Sequence, residues 1–276
     1  MAERADAFLA PVVARLAEVP GVEAIVLGGS RAQGHHADTS DWDLGLYYDS
    51  ADAFNVVALN RVAATLDDAR REALCTPIGG WGPWVVGGGW LTIGGRAVDL
   101  IYREIPRVAA VIHDCRAGRF TIEYQAGHPA GYPSYIYMAE AAVNRPLHDS
   151  DGRFAALTAA ATPYPVALRA AIFARLRAEP AFCMTIAEKG LARGDLGYVA
   201  TCLARAVFCL AQLLFALNSE WYLNEKGAMA RASRFPRTVP RLDARVQAAF
   251  GALGADPAGA IAAIGALAEE VVTLTR

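Results

Sequence analysis

The chain has 276 residues, 54% hydrophobic and 20% charged, a balance that excludes a disordered polymer and gives room for one large domain or two ordinary ones. Its 26 Lys and Arg against 28 Asp and Glu leave a formal net charge of −2. Neutralising many phosphates takes a basic excess that this chain lacks, so a long nucleic acid is not the expected partner, although a local basic patch stays open.

Residues 4–18 carry apolar side chains at helical spacing and predict a helix. The opening stretch also carries Glu3, Asp6 and Glu18, which argues against a signal peptide. Val22 to Gly28, VEAIVLG, reads as a buried strand ended by glycine, and Asp43 to Asp49, DLGLYYD, as a second. Helical spacing returns between Phe54 and Leu74. The glycine-rich passage TPIGGWGPWVVGGGWLTIGG follows. It has no Gly-Lys-Ser/Thr, and its glycines alternate with Trp81, Trp84 and Trp90, so strands joined by turns are expected rather than a phosphate loop. RAVDLIYRE, Arg96 to Glu104, predicts a third strand.

After Ile105 the pattern turns helical, in PSYIYMAEAAV, in PVALRAAIFARLRAEP, over 181–193 and 195–217, and around 239–252 and 257–275. An α/β half of residues 1–120 therefore precedes a helical half of residues 121–276, with HPAGYPS at the junction. The most apolar run, CLARAVFCLAQLLFALN, is broken by Arg205 and Gln212 and reads as too short for a bilayer. A cytoplasmic protein with no membrane partner is the expectation. Cys75, Cys115, Cys183, Cys202 and Cys209 are scattered with no CxxC pair and read as core packing.

The chemistry concentrates in LGGSRAQGHHADTSDWDLGLYYD, Leu27 to Asp49. In a strand, Asp41 and Asp43 point to one face with Trp42 opposed. Two carboxylates side by side repel unless a cation lies between them, and oxygen-only ligands suit Mg²⁺ with substrate phosphates. Asp99 interrupts an apolar strand between Val98 and Leu100 and is the candidate third acid. Gly28 and Gly29 permit close backbone approach, Ser30 reads as a helix N-cap whose exposed N–H groups attract phosphate, and Arg31 could neutralise phosphate charge. The bland alternative for the acids is a solvated turn. His35 and His36 read as a surface loop, and His113, His128 and His148 show no ligand spacing.

Gly29-Ser30, a gap, Asp41-x-Asp43 at the head of a strand, then Asp99 on a later strand resembles the DNA polymerase β-type nucleotidyltransferase superfamily. The α/β-then-helical order most resembles bacterial two-domain antibiotic nucleotidyltransferases, including the aminoglycoside type. The resemblance implies a small mixed sheet with packed helices and two Mg²⁺ ions held by Asp41 and Asp43. It implies transfer of a nucleoside monophosphate, taken as AMP from ATP, to a hydroxyl of a small acceptor such as an antibiotic, with pyrophosphate released. Asp99 is then a third metal ligand or a general base. Two alternatives stay open: modification of a protein or tRNA, and a silent nucleotide-binding module. A homodimer is equally left open.

In the helical half, Asn218 to Arg237 mixes acids, aromatics and cations. Lys226 is placed near the triphosphate, Trp221 or Tyr222 against a base, and Glu220 or Glu225 against a cationic acceptor, the alternative being a solvated helix end. Asp195 reads as a helix cap, and Arg205 as the partner of a carboxylate rather than of the nucleotide.

Overall fold

The computed structural model describes residues 2–34 and 40–276 and is a mixed α/β structure with a helical C-terminal region. Helix α1 (Ala2–Ala17) precedes β1 (Ala24–Leu27), the one-turn α2 (Gly29–Ala32), β2 (Trp42–Tyr48), α3 (Val56–Leu66), β3 (Gly88–Ile93) and β4 (Arg96–Glu104). Then come α4 (Ile105–Arg116), the two-stranded pair β5 (Ile122–Gln125) and β6 (His128–Pro133), α5 (Ile136–Val143), β7 (Arg145–His148) and α6 (Arg153–Ala161).

Five strands make one mixed sheet in the order β3-β4-β2-β1-β7. The central pair β2 and β4 is parallel, with Trp42 opposite Val98 and Asp43 opposite Asp99, and the other pairings are antiparallel. Because side chains alternate, register assigns them to faces. Trp42, Leu44, Leu46 and Tyr48 share one face with Val98, Leu100, Tyr102 and Leu91, and all are buried. Leu9, Val12 and Leu16 of α1 and Leu59 and Ala63 of α3 belong to the same core. Their spacing is the apolar stripe of amphipathic helices. The reverse face carries Asp43, Gly45 and Tyr47 beside Asp99, Ile101 and Arg103, with Gly88 and Trp90 on β3.

Helices close that reverse face at one end. Phe154 of α6 meets the Tyr47 ring edge-on at 5.0 Å. Arg103 reaches Glu140 of α5 through Nε–Oε2 at 2.6 Å and Nη2–Oε1 at 2.7 Å. At the Asp43 end the acids are half-buried, and Ala97 and Trp90 are exposed.

By contacts the chain forms two compact units. The first holds residues 1–114, 121–127 and 132–163, and the second 115–120, 128–131 and 164–276. The first unit thus includes a quarter of the chain that the sequence pattern assigned to the helical half, residues 121–127 and 132–163. The physical reason is β7, which pairs with β1 and joins the sheet, together with α5, which holds Arg103. In the second unit α7 (Val166–Leu176), α8 (Glu179–Leu191) and α12 (Pro257–Leu274) pack against α9 (Leu196–Leu217), and α10 (Ala228–Ala232) and α11 (Leu242–Ala252) complete it.

Helix α9 has 22 residues, matching the helical run expected over 195–217, and its apolar stretch extends upstream of the run from Cys202 that read as too short for a bilayer. It and α12 are long and apolar enough to cross a membrane. Inside the protein 72% of the most apolar window of α9 is buried, as for a core helix, against 33% for α12.

Candidate functional site

Asp43 and Asp99 are direct partners on adjacent parallel strands, so their side chains leave the same face side by side. Asp41 lies just ahead of β2 and is exposed. Among the described residues no three His, Cys, Asp or Glu side chains gather as a metal-binding group, so Asp41, Asp43 and Asp99 do not form a three-ligand cluster. Two neighbouring carboxylates are still the donor set that Mg²⁺ ordinarily takes from a protein when water and substrate phosphates complete its shell. The pair Asp43 and Asp99 fits that chemistry.

The turn after β1 is fastened to the same pair. The Gly28 N–H donates to the Asp43 carbonyl at 2.8 Å. Gly29 adopts a left-handed φ of +61°, and a Cβ there would lie 1.8 Å from Asp43 Oδ2. Only glycine lets the backbone pass that close to the carboxylate in that conformation. The position expected for Ser30 shifts: Gly28 is the N-cap of α2, with no side-chain cap, and Ser30 sits inside the helix. The turn starts two residues earlier than the hydroxyl suggested.

Arg31 is engaged within the fold. Its Nε donates to the carbonyls of Ser40 at 3.0 Å and Asp41 at 3.1 Å, and Nη2 to Ser40 at 2.6 Å. The guanidinium also stacks 4.0 Å over Trp42. It therefore ties α2 to the approach to Asp41. His35 and His36 lie outside the described residues.

Two contributors to this region were not legible in the sequence. The side-chain amide of Asn144, the C-cap of α5, lies beside Gly28, where a Cβ would be 3.2 Å from Nδ2. Its Oδ1 is buried without a hydrogen-bond partner. Arg145 pairs with Leu27 through β7 and so stands beside the entry to the turn. RPLH carries no strand signal, and only long-range pairing puts these residues here.

In the second unit, Lys226 is exposed. Glu225 accepts from the Ala130 N–H at 3.2 Å and lies 3.2 Å from His128 Nδ1. Glu220 accepts from Arg231 at 2.7 Å. Trp221 packs at 4.6 Å against Tyr164, and Tyr222 is buried edge-on to Phe215. Asp195 caps α9 by accepting from the Tyr198 N–H at 3.0 Å, as its sequence position implied. Arg205 pairs with Glu179 at 2.5 Å and donates to the Ala130 carbonyl at 2.6 Å. The expected partnership with a carboxylate is present.

All five cysteines are buried, and none is in a disulfide. Burial pushes the thiols of Cys75 and Cys183 up to about 11 and that of Cys209 to about 12, so none of these three offers a thiolate near neutral pH.

A family model described as "Domain of unknown function (DUF4037)" matches residues 135–226, a third of the chain, from the start of α5 to Lys226. No curated protein matches the chain. Among solved structures, the chain is similar to a nucleotidyltransferase-like protein from Exiguobacterium sibiricum 255-15, with 12% identity and a TM-score of 0.42. That similarity covers 98% of this chain and 74% of the other. A likeness this loose bears on neither mechanism nor substrate.

Proposed function

We propose that the protein is a Mg²⁺-dependent nucleotidyltransferase that moves a nucleoside monophosphate, AMP from ATP, to a hydroxyl of a small acceptor in the cytoplasm. The observation that carries this reading is the in-register pair Asp43–Asp99 with the Gly29 backbone pressed against Asp43. Such an arrangement puts backbone N–H groups for phosphate and carboxylates for a hard cation at one sheet corner. When bound, Mg²⁺ would supply neutralisation of the triphosphate charge.

In this reading Asp43 and Asp99 hold the metal, with Asp41 at the margin. The turn Gly28, Gly29 and Ser30 cradles the triphosphate, and Asn144 adds a polar group beside it. Arg31 orders the approach to the acids through Ser40 and Asp41. The acceptor oxygen forms a bond to the α-phosphorus as the bond to pyrophosphate breaks. Asp99 takes the acceptor proton, a role favoured by its place one strand further from the phosphate turn than Asp43. An antibiotic acceptor is the finer form of the proposal.

The test is calorimetric titration with ATP and Mg²⁺, together with pyrophosphate release over a panel of hydroxylated acceptors. The parent should bind ATP–Mg²⁺ and release pyrophosphate only with acceptor. Asp43→Asn and Asp99→Asn should each lower turnover by ~100-fold or more. Tight ATP–Mg²⁺ binding with no turnover on any acceptor would instead assign a silent nucleotide-binding module. Variants as active as the parent would remove the acids from the mechanism.

A further inference from the structure

Trp90 is the partner of Asp99 on the neighbouring strand, so its ring leaves the same face of the sheet as the acid. It is 60% exposed, unusual for so large an aromatic. The ring is nevertheless held in place. Trp81 stacks on it, with ring centroids 4.5 Å apart and planes 23° from parallel. Trp81 in turn lies over Gly88, where a Cβ would fall 2.6 Å from its ring. A Cβ at Gly88 would also fall 1.9 Å from the Leu100 carbonyl oxygen, so only glycine leaves room there for Trp81.

Polar groups hold the backbone on both sides of the stack. Gln125 Nε2 donates to the Trp81 carbonyl at 2.9 Å, and Gln125 Oε1 accepts from the Trp84 and Val85 N–H groups at 3.0 Å each. On the other side Asp67 accepts from Thr92 N–H at 2.9 Å, and Arg71 donates to the Trp90 carbonyl at 3.3 Å. The result is a fixed aromatic surface beside Asp99. Across the sheet the order is phosphate turn, Asp43, Asp99, Trp90.

We propose that the stacked Trp90–Trp81 pair is the acceptor subsite: it takes a flat-faced ring bearing a hydroxyl, laid on the open face of Trp90 with that hydroxyl toward Asp99. The proposal rests on the nucleotidyltransferase reading and gives its acceptor a chemical class. Adjacent strands lie ~4.8 Å apart, about the breadth of a six-membered ring. A hydroxyl carried on the stacked ring itself therefore reaches Asp99, and one on a long flexible arm gains nothing from the platform. Rings of two origins share this chemistry, a saturated polyol ring presenting its C–H face and a phenol presenting its π-face.

The test uses saturation-transfer NMR with myo-inositol, methyl α-glucoside and catechol as probes in the presence of ATP–Mg²⁺. Parent, Trp90→Ala and Trp90→Phe are compared, with ATP–Mg²⁺ affinity measured in parallel by calorimetry. At least one probe should bind the parent, and which one does separates the two origins. Trp90→Ala should weaken it roughly tenfold, in line with the worth of an aromatic stack, and Trp90→Phe should keep most of the binding. ATP–Mg²⁺ affinity should stay within about twofold of the parent in both variants, because a platform outside the phosphate turn does not touch it. The proposal falls if the parent binds none of the probes, if Trp90→Ala binds them as well as the parent, or if Trp90→Ala loses ATP–Mg²⁺ to the same extent. A parent that shows Trp90-dependent ring binding without ATP–Mg²⁺ binding overturns the nucleotidyltransferase reading and the acceptor role with it.

Discussion

The two ends of one sheet face treat charge in opposite ways. At the closed end Arg103 is 4% exposed and Glu140 19%, and each satisfies the other through two short hydrogen bonds beneath α5. At the open end Asp43 and Asp99, two charges of the same sign, stand next to each other half-buried. A buried opposite pair fixes how α5 docks on the sheet. A like pair repels, and the repulsion is eased where water or a cation reaches it. The same strands thus supply structure at one end and, in the proposed function, chemistry at the other.

The sharpest way to break this contrast is at the closed end. Arg103→Leu strands Glu140 under α5 and should cost about 3–5 kcal/mol in urea unfolding, because one member of a buried pair is left uncompensated. Arg103→Leu combined with Glu140→Leu should recover much of that loss. If the single variant unfolds at the parent midpoint, the closed end is not held by charge.

A smaller effect is expected at Asp67, which pins the edge strand under Trp90. It accepts from Arg71 Nη2 at 2.6 Å, Arg71 Nε at 3.0 Å and Thr92 N–H at 2.9 Å. The Arg71 side chain first, and then the Thr92 N–H, hold its carboxyl well below its ordinary value of 3.8. A folded-state value that is depressed contributes stability above the unfolded value, which drains away as pH falls below about 4. Asp67→Asn should cost ~1–3 kcal/mol at pH 7 and flatten the acid limb of the stability profile. An unchanged acid limb would assign the acid sensitivity elsewhere.

Gly29→Ala probes the join between the turn and the acid. The left-handed conformation alone costs a non-glycine residue ~1–2 kcal/mol, and the added Cβ displaces the Asp43 carboxylate. Thermal unfolding should report the loss of stability. ATP–Mg²⁺ titration should report weaker binding than that cost explains, since both halves of the site move. A variant with parent affinity would separate the turn from the acids.

The acids and the turn were legible because each sets a polar or conformationally special residue against an apolar strand: Asp99 inside RAVDLIYRE, Gly29 at the end of VEAIVLG. Sequence periodicity also placed α9, α12 and the alternation of Trp42 with Asp43. Partners far apart in the chain were not legible. Glu140 lies 37 residues from Arg103, and nothing in YMAEAAV marks its acid as a buried ligand for an arginine. RPLH became β7 through pairing with β1, and GGWGPWVVGGGW became a stack through the register of Trp90 and the bare backbone of Gly88. Local pattern predicts which residues are strands and which residue types are out of place. Register decides which of them meet.

The smallest expected effect is the one that most directly separates the two ends. Asp99→Asn removes one of two adjacent negative charges and keeps the shape of the side chain. Because Asp99 is half-buried, where Arg103 is almost sealed, and the isostere keeps its shape, stability in urea should change by no more than ~1 kcal/mol, and the relief of repulsion favours a gain. Turnover, by contrast, should fall steeply. A site selected for chemistry is expected to show this dissociation of activity from stability, and Arg103→Leu is expected to show the reverse order of effects. Were Asp99→Asn to destabilise the fold as much as Arg103→Leu, Asp99 would be a structural acid, and the open end of the sheet would be closed by the same logic as the other.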